Sequence, residues 1–574
     1  MTETAEAWSG QSGAGPFLVA FGATVYRNQW WTDATQVPGE WEADPANNPW
    51  RPERAATVEE AKLGQAARAS HEGGSGWGAL EVHDPSTAAT WQQVGFTPDG
   101  SGTPLSYTST RVNRPVYNEF KPADSTAPIL VAVLAVGAQY DGRPQGSTQP
   151  ADAGPGFDLT TMRTTYDHVV VQSHRLDEGG TAAAAVARSR DGWNRQSPGA
   201  AALRPGAIVL ADPWGALATS VNTGQPTSHM DLTHDNYLRY YKQDVAAGLL
   251  GGLRDMKTRN PQLKLVFNVS GCDPRTACFT DPAGRKAFVD SITDVFARFP
   301  MFDAVQLDTS RAADDLALTA DWDPKTLPLV VAELRKALDT RFGQGTQKTI
   351  DLAVRAADTA TLDRYQLPEL ISQGLDRVFL QAWGFASASL LTHDANLAPL
   401  PSTGTSGQAL VRHLTGQLQI PASAIVLGYT ATGTSAAGAD PATATLTPAA
   451  HRLGTFTEGR VAFHDALANY LAPSDTGLTG KNGFVLHSDG SADALFNPDT
   501  RHFISLDTPR TVQAKAAYAL QQNLGGLCTW DAHHDNGLLA NAANDGLART
   551  RVVTTLDDTA LRNTGTPVTI PAHD

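Results

Sequence analysis

Polar residues that could take part in chemistry lie within and just after one short, mainly apolar run, residues 304–307. Asp308 follows this run directly, Gln306 lies inside it, and Ser310 stands two residues after Asp308. Acid catalysis needs a group whose pKa lies near the working pH, and a serine hydroxyl cannot deliver a proton at neutral pH. Because no Glu occurs between residues 302 and 322, we expect Asp308 to cap a strand end. Orientation of a bound ligand by Asp308 is the alternative.

Tryptophan is concentrated near the N-terminus, where seven of the 12 tryptophans lie within the first 100 residues. Short polar turns separate them without a helical period, which favours a small module of strands and loops. Residues 25–32, followed by Pro38-Gly39, resemble the core motif of the small chitin-binding modules of bacterial chitinases. That resemblance implies that Trp30, Trp31 and Trp41 stack on the apolar faces of sugar rings. The alternative is that these indoles form the core of their own module.

Composition excludes some classes of partner. The chain of 574 residues has a formal net charge of -15, which would repel a phosphate backbone, so we expect no nucleic acid partner. Residues 1–15 are polar without a basic segment before an apolar one, and no apolar run of about 18 residues follows, so neither a signal peptide nor membrane insertion is predicted. We therefore expect synthesis in the cytoplasm. If the protein works outside the cell, we expect it to leave by lysis, by leaderless export or within a secreted particle.

Metal and disulfide chemistry are weakly indicated. The three cysteines, Cys272, Cys278 and Cys528, lack the paired spacing of a zinc site. Free thiols are favoured over a bond between Cys272 and Cys278. His533 and His534 are adjacent and therefore point in different directions on most backbones, which makes a poor metal pair. We predict no metal and no cofactor.

Apolar runs alternate with helix-like segments from about residue 126 onward, which is typical of a parallel sheet with crossover helices. Helices are expected at residues 237–256, 284–299 and 327–342. Eight or nine strands are enough for a closed barrel, with one left for an insertion. The predicted strands are residues 129–136, 168–172, 208–210, 263–269, 304–307, 349–354, 377–382, 425–429 and 526–530.

The predicted fold class is therefore α/β: a TIM (β/α)8 barrel with a small α+β insertion before the last strand, plus a small N-terminal β-rich module. The predicted boundaries are residues 1–100 for the aromatic module, 101–125 for a linker, 126–545 for the barrel with an insertion at 433–510, and 546–574 for a C-terminal tail.

Several of these segments resemble, in chain order, motifs of glycoside hydrolase family 18. Residues 263–271 resemble its third strand. Residues 302–310 resemble its fourth, which in the family reads Phe-Asp-Gly-Ile-Asp-Ile-Asp-Trp-Glu. Residues 379–385 resemble its sixth, which normally ends Met-Thr-Tyr-Asp. The likeness continues into the insertion and the final strand, where the family has a tryptophan under the cleaved sugar, and it covers about residues 126–545. The resemblance implies the TIM barrel and, for an intact member, hydrolysis of chitin.

The same resemblance implies that the catalytic residues are replaced. The glutamate that protonates the leaving oxygen aligns with Ser310 and the central aspartate aligns with Gln306, whereas Asp308 is retained. The tyrosine and aspartate that hold the acetamido group of the substrate align with Trp383 and Gly384. The substrate-assisted mechanism of the family needs both the acid and the acetamido contacts.

Trp383 and Trp530 are expected at the C-terminal face of the barrel, where ligands bind in this architecture. They would form an aromatic floor or wall for a sugar, or Trp383 would fill the emptied pocket. The predicted function is that of a non-catalytic chitinase-like protein that binds chitin or N-acetylglucosamine glycans or serves as a structural subunit. One alternative is a subunit decorating a bacterial toxin or injection particle. Residues 210–214 resemble the branch of family 18 proteins that decorate bacterial insecticidal toxin complexes. Another is an active chitinase or endo-N-acetylglucosaminidase with atypical catalytic residues.

Overall fold

A computed structural model describes most of the chain after residue 114 and four short strands before it. The described residues are 6–7, 18–21, 24–28, 50–55, 115–123, 127–139, 157–162, 164–179, 184–196, 202–219, 223–225, 237–309, 323–343, 348–356, 358–386, 390–446, 452–455, 459–562 and 565–572.

Eight parallel strands form a closed barrel, in which each strand pairs with the next along the chain and the eighth pairs with the first. The predicted TIM barrel is thereby confirmed. These runs are apolar because parallel strands are covered on both faces, by the barrel interior and by the surrounding helices. The strands are β1 Ile129–Ala135, β2 His168–Leu176, β3 Lys264–Ser270, β4 Phe302–Asp308, β5 Thr349–Arg355, β6 Arg377–Gln381, β7 Ile425–Thr430 and β8 Gly526–Trp530.

The ninth predicted strand, Ile208–Leu210, lies outside the barrel. It pairs antiparallel with β2, with His174 opposite Leu210. It therefore extends the sheet at the C-terminal half of β2 and is the leftover strand of the predicted count.

Helices surround the barrel, and two of the three predicted ones begin and end within two residues of the prediction. The exception is the predicted helix at 237–256, which is wrong: a 3-10 turn spans Tyr237–Tyr240 and the α-helix is Gly248–Arg259. Gly248 has φ +57 and packs close to the backbone of Ala216, which interrupts any continuous helix there. The helices of eight residues or more are Ala184–Gln196, Gly248–Arg259, Pro282–Arg298, Thr326–Phe342, Pro509–Gln521 and Leu538–Gly546. The shorter ones are Pro213–Leu217, Ala277–Thr280, Thr359–Arg364, Leu367–Ser372, Gly407–Arg412 and Phe463–Asn469.

The barrel interior is layered by the alternation of side chains along each strand. Its middle is apolar and includes Val170, Ala304, Ala353 and Phe379. Polar side chains occupy interior positions on either side of this layer. Towards the N-terminal ends of the strands they are His168, Asp351 and Arg377, and towards the C-terminal ends they are Asn268, Gln306 and Gln381.

The segment between β7 and β8 forms a second, smaller sheet, in line with the predicted α+β insertion. Its strands, in spatial order, are Arg460–Ala462, Thr432–Ala436, His502–Leu506, Ala492–Asn497 and Val485–Asp489, and Thr566–Pro567 from the C-terminal segment adds a sixth. The described residues also form three two-stranded ribbons: Ala439–Asp440 with Thr445–Leu446, Leu471–Ser474 with Gly477–Gly480, and Glu119–Phe120 with Arg551–Val553. The predicted domain boundaries themselves stay predictions.

Near the N-terminus, Glu6–Ala7, Leu18–Phe21, Thr24–Asn28 and Trp50–Ala55 form one four-stranded sheet. The strand content agrees with the predicted β-rich module. Trp30, Trp31 and Trp41 lie outside the described residues. Across the described part of the chain, no helix has the length and apolar character needed to cross a membrane.

Candidate functional site

The candidate site lies at the rim where the barrel strands end. Parallel strands bring their C-terminal ends to one face of a barrel, so residues far apart in the chain meet there. Asp308 ends β4, Arg355 ends β5, Trp383 follows β6 by two residues, and Trp530 ends β8.

An amide pair occupies the barrel interior just below this rim. Gln306 is fully buried, and its Oε1 accepts a hydrogen bond of 2.8 Å from Nδ2 of Asn268 on β3. Among the described residues, Oδ1 of Asn268 and Nε2 of Gln306 have no hydrogen-bond partner. Amides do not titrate in the physiological range, so this part of the interior holds hydrogen-bonding groups without supplying an acid.

Asp308 is buried next to the loop that follows β3. Its carbonyl oxygen accepts a 3.0 Å hydrogen bond from the backbone N–H of Cys272. Burial, reinforced by the Asp308 carboxylate, holds the pKa of the Cys272 thiol well above its usual range. Ser310 lies outside the described residues, so the position that aligns with the family acid has no described surroundings.

Two tryptophans pack against each other at the rim. The rings of Trp383 and Trp530 have centroids 5.6 Å apart and planes tilted by 45°. Trp383 is only 4% exposed, whereas Trp530 is partly exposed. A Cβ added at Gly428 of β7 would lie 3.1 Å from Cη2 of Trp383 and 2.8 Å from the Leu380 carbonyl oxygen. The indole of Trp383 can therefore occupy this position only because residue 428 is glycine. The burial of the indole favours the alternative in which Trp383 fills the emptied pocket.

Gly384 and Arg355 share one region of space at the rim. Gly384 has φ +82, a conformation that side-chain-bearing residues rarely adopt. A Cβ built on it would overlap the guanidinium of Arg355, with Cζ and Nε both 2.9 Å away. The guanidinium thus occupies the volume into which any side chain at position 384 would project.

Comparison with known proteins identifies the family. The model of the glycosyl hydrolases family 18 matches residues 156–535. The chain belongs to glycosyl hydrolase family 18. Chitinase 2 of Yersinia entomophaga is 37% identical over 580 residues, covering 95% of this chain and 91% of that protein. Chitinase 1 of the same organism is 27% identical, covering 80% of this chain and 88% of that protein.

A solved structure agrees with the family assignment. The chitinase Chi1, fitted into the structure of the Yersinia entomophaga toxin complex, superposes with a TM-score of 0.71 at 25% identity, covering 83% of this chain and 95% of that one. Chitinase ChiA74 from Bacillus thuringiensis, at 19% identity and a TM-score of 0.55, covers 74% of this chain and 70% of that one and shows the shared fold.

The structure brings the sequence-predicted residues of this family 18 barrel together only in part. Trp383 contacts Trp530 and lies beside Gly384, while Gln306 is one layer deeper. Arg355 was not predicted as a site residue. The signal was present in the sequence, because Asp351, Ala353 and Arg355 alternate along one strand and the last of them must reach the rim.

A group of three buried histidines next to β8 also went unpredicted. The rings of His464 and His534 have centroids 6.0 Å apart, and those of His533 and His534 lie 4.4 Å apart. Burial holds the pKa of each imidazole below its usual range, and it lowers that of His464 to about 4. They are therefore neutral at pH 7. Within the described residues, no group of three or more His, Cys, Asp or Glu side chains is arranged to hold a metal. Cys272, Cys278 and Cys528 are free, buried thiols.

Proposed function

We propose that this protein is a non-hydrolysing member of family 18 that binds chitin or related N-acetylglucosamine glycans. The observation that carries the proposal is the exchange of polar groups at the ends of β4 and β6. The resemblance aligns the acidic and tyrosine side chains of the family with the amide of Gln306, the hydroxyl of Ser310, the indole of Trp383 and Gly384, which has no side chain.

The chemistry of hydrolysis gives these exchanges their weight. A leaving sugar oxygen must receive a proton, and loss of the positioned acid alone costs about 100- to 10,000-fold in rate. Loss of the residues that hold the acetamido group removes support for the developing positive charge. Because both functions are affected, we expect no useful turnover. Asp308 keeps its carboxylate, and its position next to the buried thiol of Cys272 fits a structural role.

A fluorogenic chitooligosaccharide assay at high protein concentration tests the non-catalytic part. The expected result is turnover indistinguishable from buffer. Release of fluorophore at a rate near that of a working family 18 chitinase, under the same conditions, would establish the alternative of an active chitinase or endo-N-acetylglucosaminidase.

Retention on chitin beads tests the glycan-binding part. The parent chain is expected to stay bound, and Trp30→Ala and Trp31→Ala are expected to weaken retention, because exposed indoles stack on pyranose faces. Trp193→Phe is a matched control, since that tryptophan is buried against Tyr241 in the barrel wall. Passage of the parent chain through the column without retention would remove the lectin role.

The likeness to the toxin-complex chitinase favours a second candidate function, a subunit of a larger secreted particle. A protein that leaves the cell within a particle would need no signal peptide of its own. Size-exclusion chromatography of secreted material from the producing cells tests this directly. Elution with a megadalton particle supports the role, and elution only at the mass of the 60.8 kDa chain or a small oligomer opposes it.

A further inference from the structure

An arginine without a partner stands at the rim of the barrel. Arg355 is partly buried at the end of β5, and it makes no hydrogen bond or ion pair with any residue in the described ranges. Its Nε is fully shielded from solvent and has no acceptor. Burial without a partner is costly for a charged group, and guanidiniums at such depth normally pair with a carboxylate or a phosphate.

The nearby acidic side chain is already engaged elsewhere. Asp394 accepts a 3.2 Å hydrogen bond from the backbone N–H of Ala386 on one oxygen and a 2.8 Å hydrogen bond from Oγ1 of Thr434 on the other. Thr434 Oγ1 also lies 3.1 Å from Nη1 of Arg460. The charges of Asp394 and Arg460 both act on Arg355, and within the described residues the carboxylate pairs with neither guanidinium. These three side chains together carry one positive charge in excess.

The replacement of acidic family residues by uncharged ones accounts for this excess of positive charge. Gln306 and Gly384 carry no charge where family members have aspartates, and the guanidinium of Arg355 fills the space beside Gly384. Where an intact family site presents negative charge to a developing cation, this rim presents a cation. A ligand with a negative group would give the guanidinium of Arg355 a hydrogen-bond acceptor and a counter-charge.

We propose that Arg355 binds the carboxylate of an acidic sugar at the mouth of the barrel. The guanidinium offers parallel N–H donors that match a carboxylate in a bidentate arrangement. The partly exposed side chain of Trp530 supplies an apolar surface for the sugar ring at the same mouth. This inference rests on the proposed function, because it takes a glycan as the ligand and names its chemical class.

Titration calorimetry on the full chain tests the inference with three tetrasaccharides. One is hyaluronan tetrasaccharide, which alternates glucuronate with N-acetylglucosamine. The second is the same compound with its carboxylates reduced to alcohols, and the third is chitotetraose. We expect the acidic compound to bind at least about 10-fold more tightly than its reduced form, with the advantage shrinking at high salt because part of the attraction is electrostatic.

Arg355→Gln should abolish this preference, so that the acidic tetrasaccharide and its reduced form bind with equal affinity. Arg259→Gln is the matched control, since it removes an exposed guanidinium at the end of the helix Gly248–Arg259. Arg355→Lys keeps the charge and loses the planar fork, so it should retain only part of the preference. This variant, with its circular dichroism spectrum compared to that of the parent, keeps the test valid if Arg355→Gln does not fold.

The outcomes separate the inference from the function beneath it. Equal affinity for acidic and reduced tetrasaccharides, or a preference that persists in Arg355→Gln, overturns the acidic-sugar site while glycan binding stands. Failure of all three compounds to bind, together with no retention on chitin, overturns the site and the glycan-binding function together.

Discussion

A buried carboxyl group inside the barrel leads to the sharpest prediction. Asp351 lies in β5 towards the N-terminal end of the barrel, fully buried, and neither of its oxygens has a hydrogen-bond partner in the described part of the chain. Its neighbour in register on β6 is Arg377. Burial raises the pKa of Asp351 from 3.8 to about 7, although the positive charge of Arg377 acts in the opposite direction.

The shift sets both the sign and the size of a pH effect on stability. In the unfolded chain the carboxyl loses its proton near pH 3.8, whereas in the folded barrel it keeps the proton until about pH 7. The folded state thus binds more protons between these values, so the free energy of unfolding falls as pH rises from about 4 to 7 and levels off above. A pKa difference of about 3 between the folded and the unfolded chain corresponds to about 4 kcal/mol in the free energy of unfolding.

Replacement of this carboxyl by an amide removes the effect. Asp351→Asn resembles the protonated acid in shape and cannot ionise. Relative to the parent chain, the variant should therefore gain about 3 kcal/mol between pH 4.5 and pH 8, because part of the full effect already falls below pH 4.5. Urea unfolding at pH 4.5, 6 and 8, followed by tryptophan fluorescence, measures this difference.

The comparison between the two chains cancels every other titrating group. Asp290→Asn is the control, because its carboxyl is exposed on a helix and pairs with Lys286 at the surface. Its difference from the parent should stay within about 0.5 kcal/mol at all three pH values. A difference for Asp351→Asn that is the same at pH 4.5 and pH 8 would refute the argument that this carboxyl stays protonated in the fold.

Three further predictions test the rim and the insertion. Ser310→Glu alone should not yield measurable chitooligosaccharide hydrolysis, because Trp383 and Gly384 still leave the acetamido group unsupported. Gly384→Ala should lower the free energy of unfolding, measured by urea unfolding, by roughly 1 to 3 kcal/mol more than Gly343→Ala, since both glycines have positive φ but only the former meets a guanidinium. Equal losses would contradict this. Lys515→Met should cost about 3 to 5 kcal/mol of unfolding free energy, because Asp507 would lose both 2.7 Å contacts while buried.

The architecture was largely readable from the order of apolar runs. Each barrel strand was predicted because a strand covered on both faces must be apolar throughout, and this constraint is local. The helix predicted at 237–256 failed because a glycine with φ +57 packed against a distant backbone breaks it. That contact belongs to the tertiary structure.

The sequence by itself determined which chemical groups stand at the positions that resemble the family motifs: an amide at position 306, a hydroxyl at 310, an indole at 383 and hydrogen alone at 384. No fold can turn these into carboxylic acids. Only the tertiary structure decided that the indole of Trp383 is buried against Trp530, and that the guanidinium of Arg355 occupies the space beside Gly384. Such contacts depend on the closure of the barrel, which brings strands separated by tens to hundreds of residues within van der Waals distance.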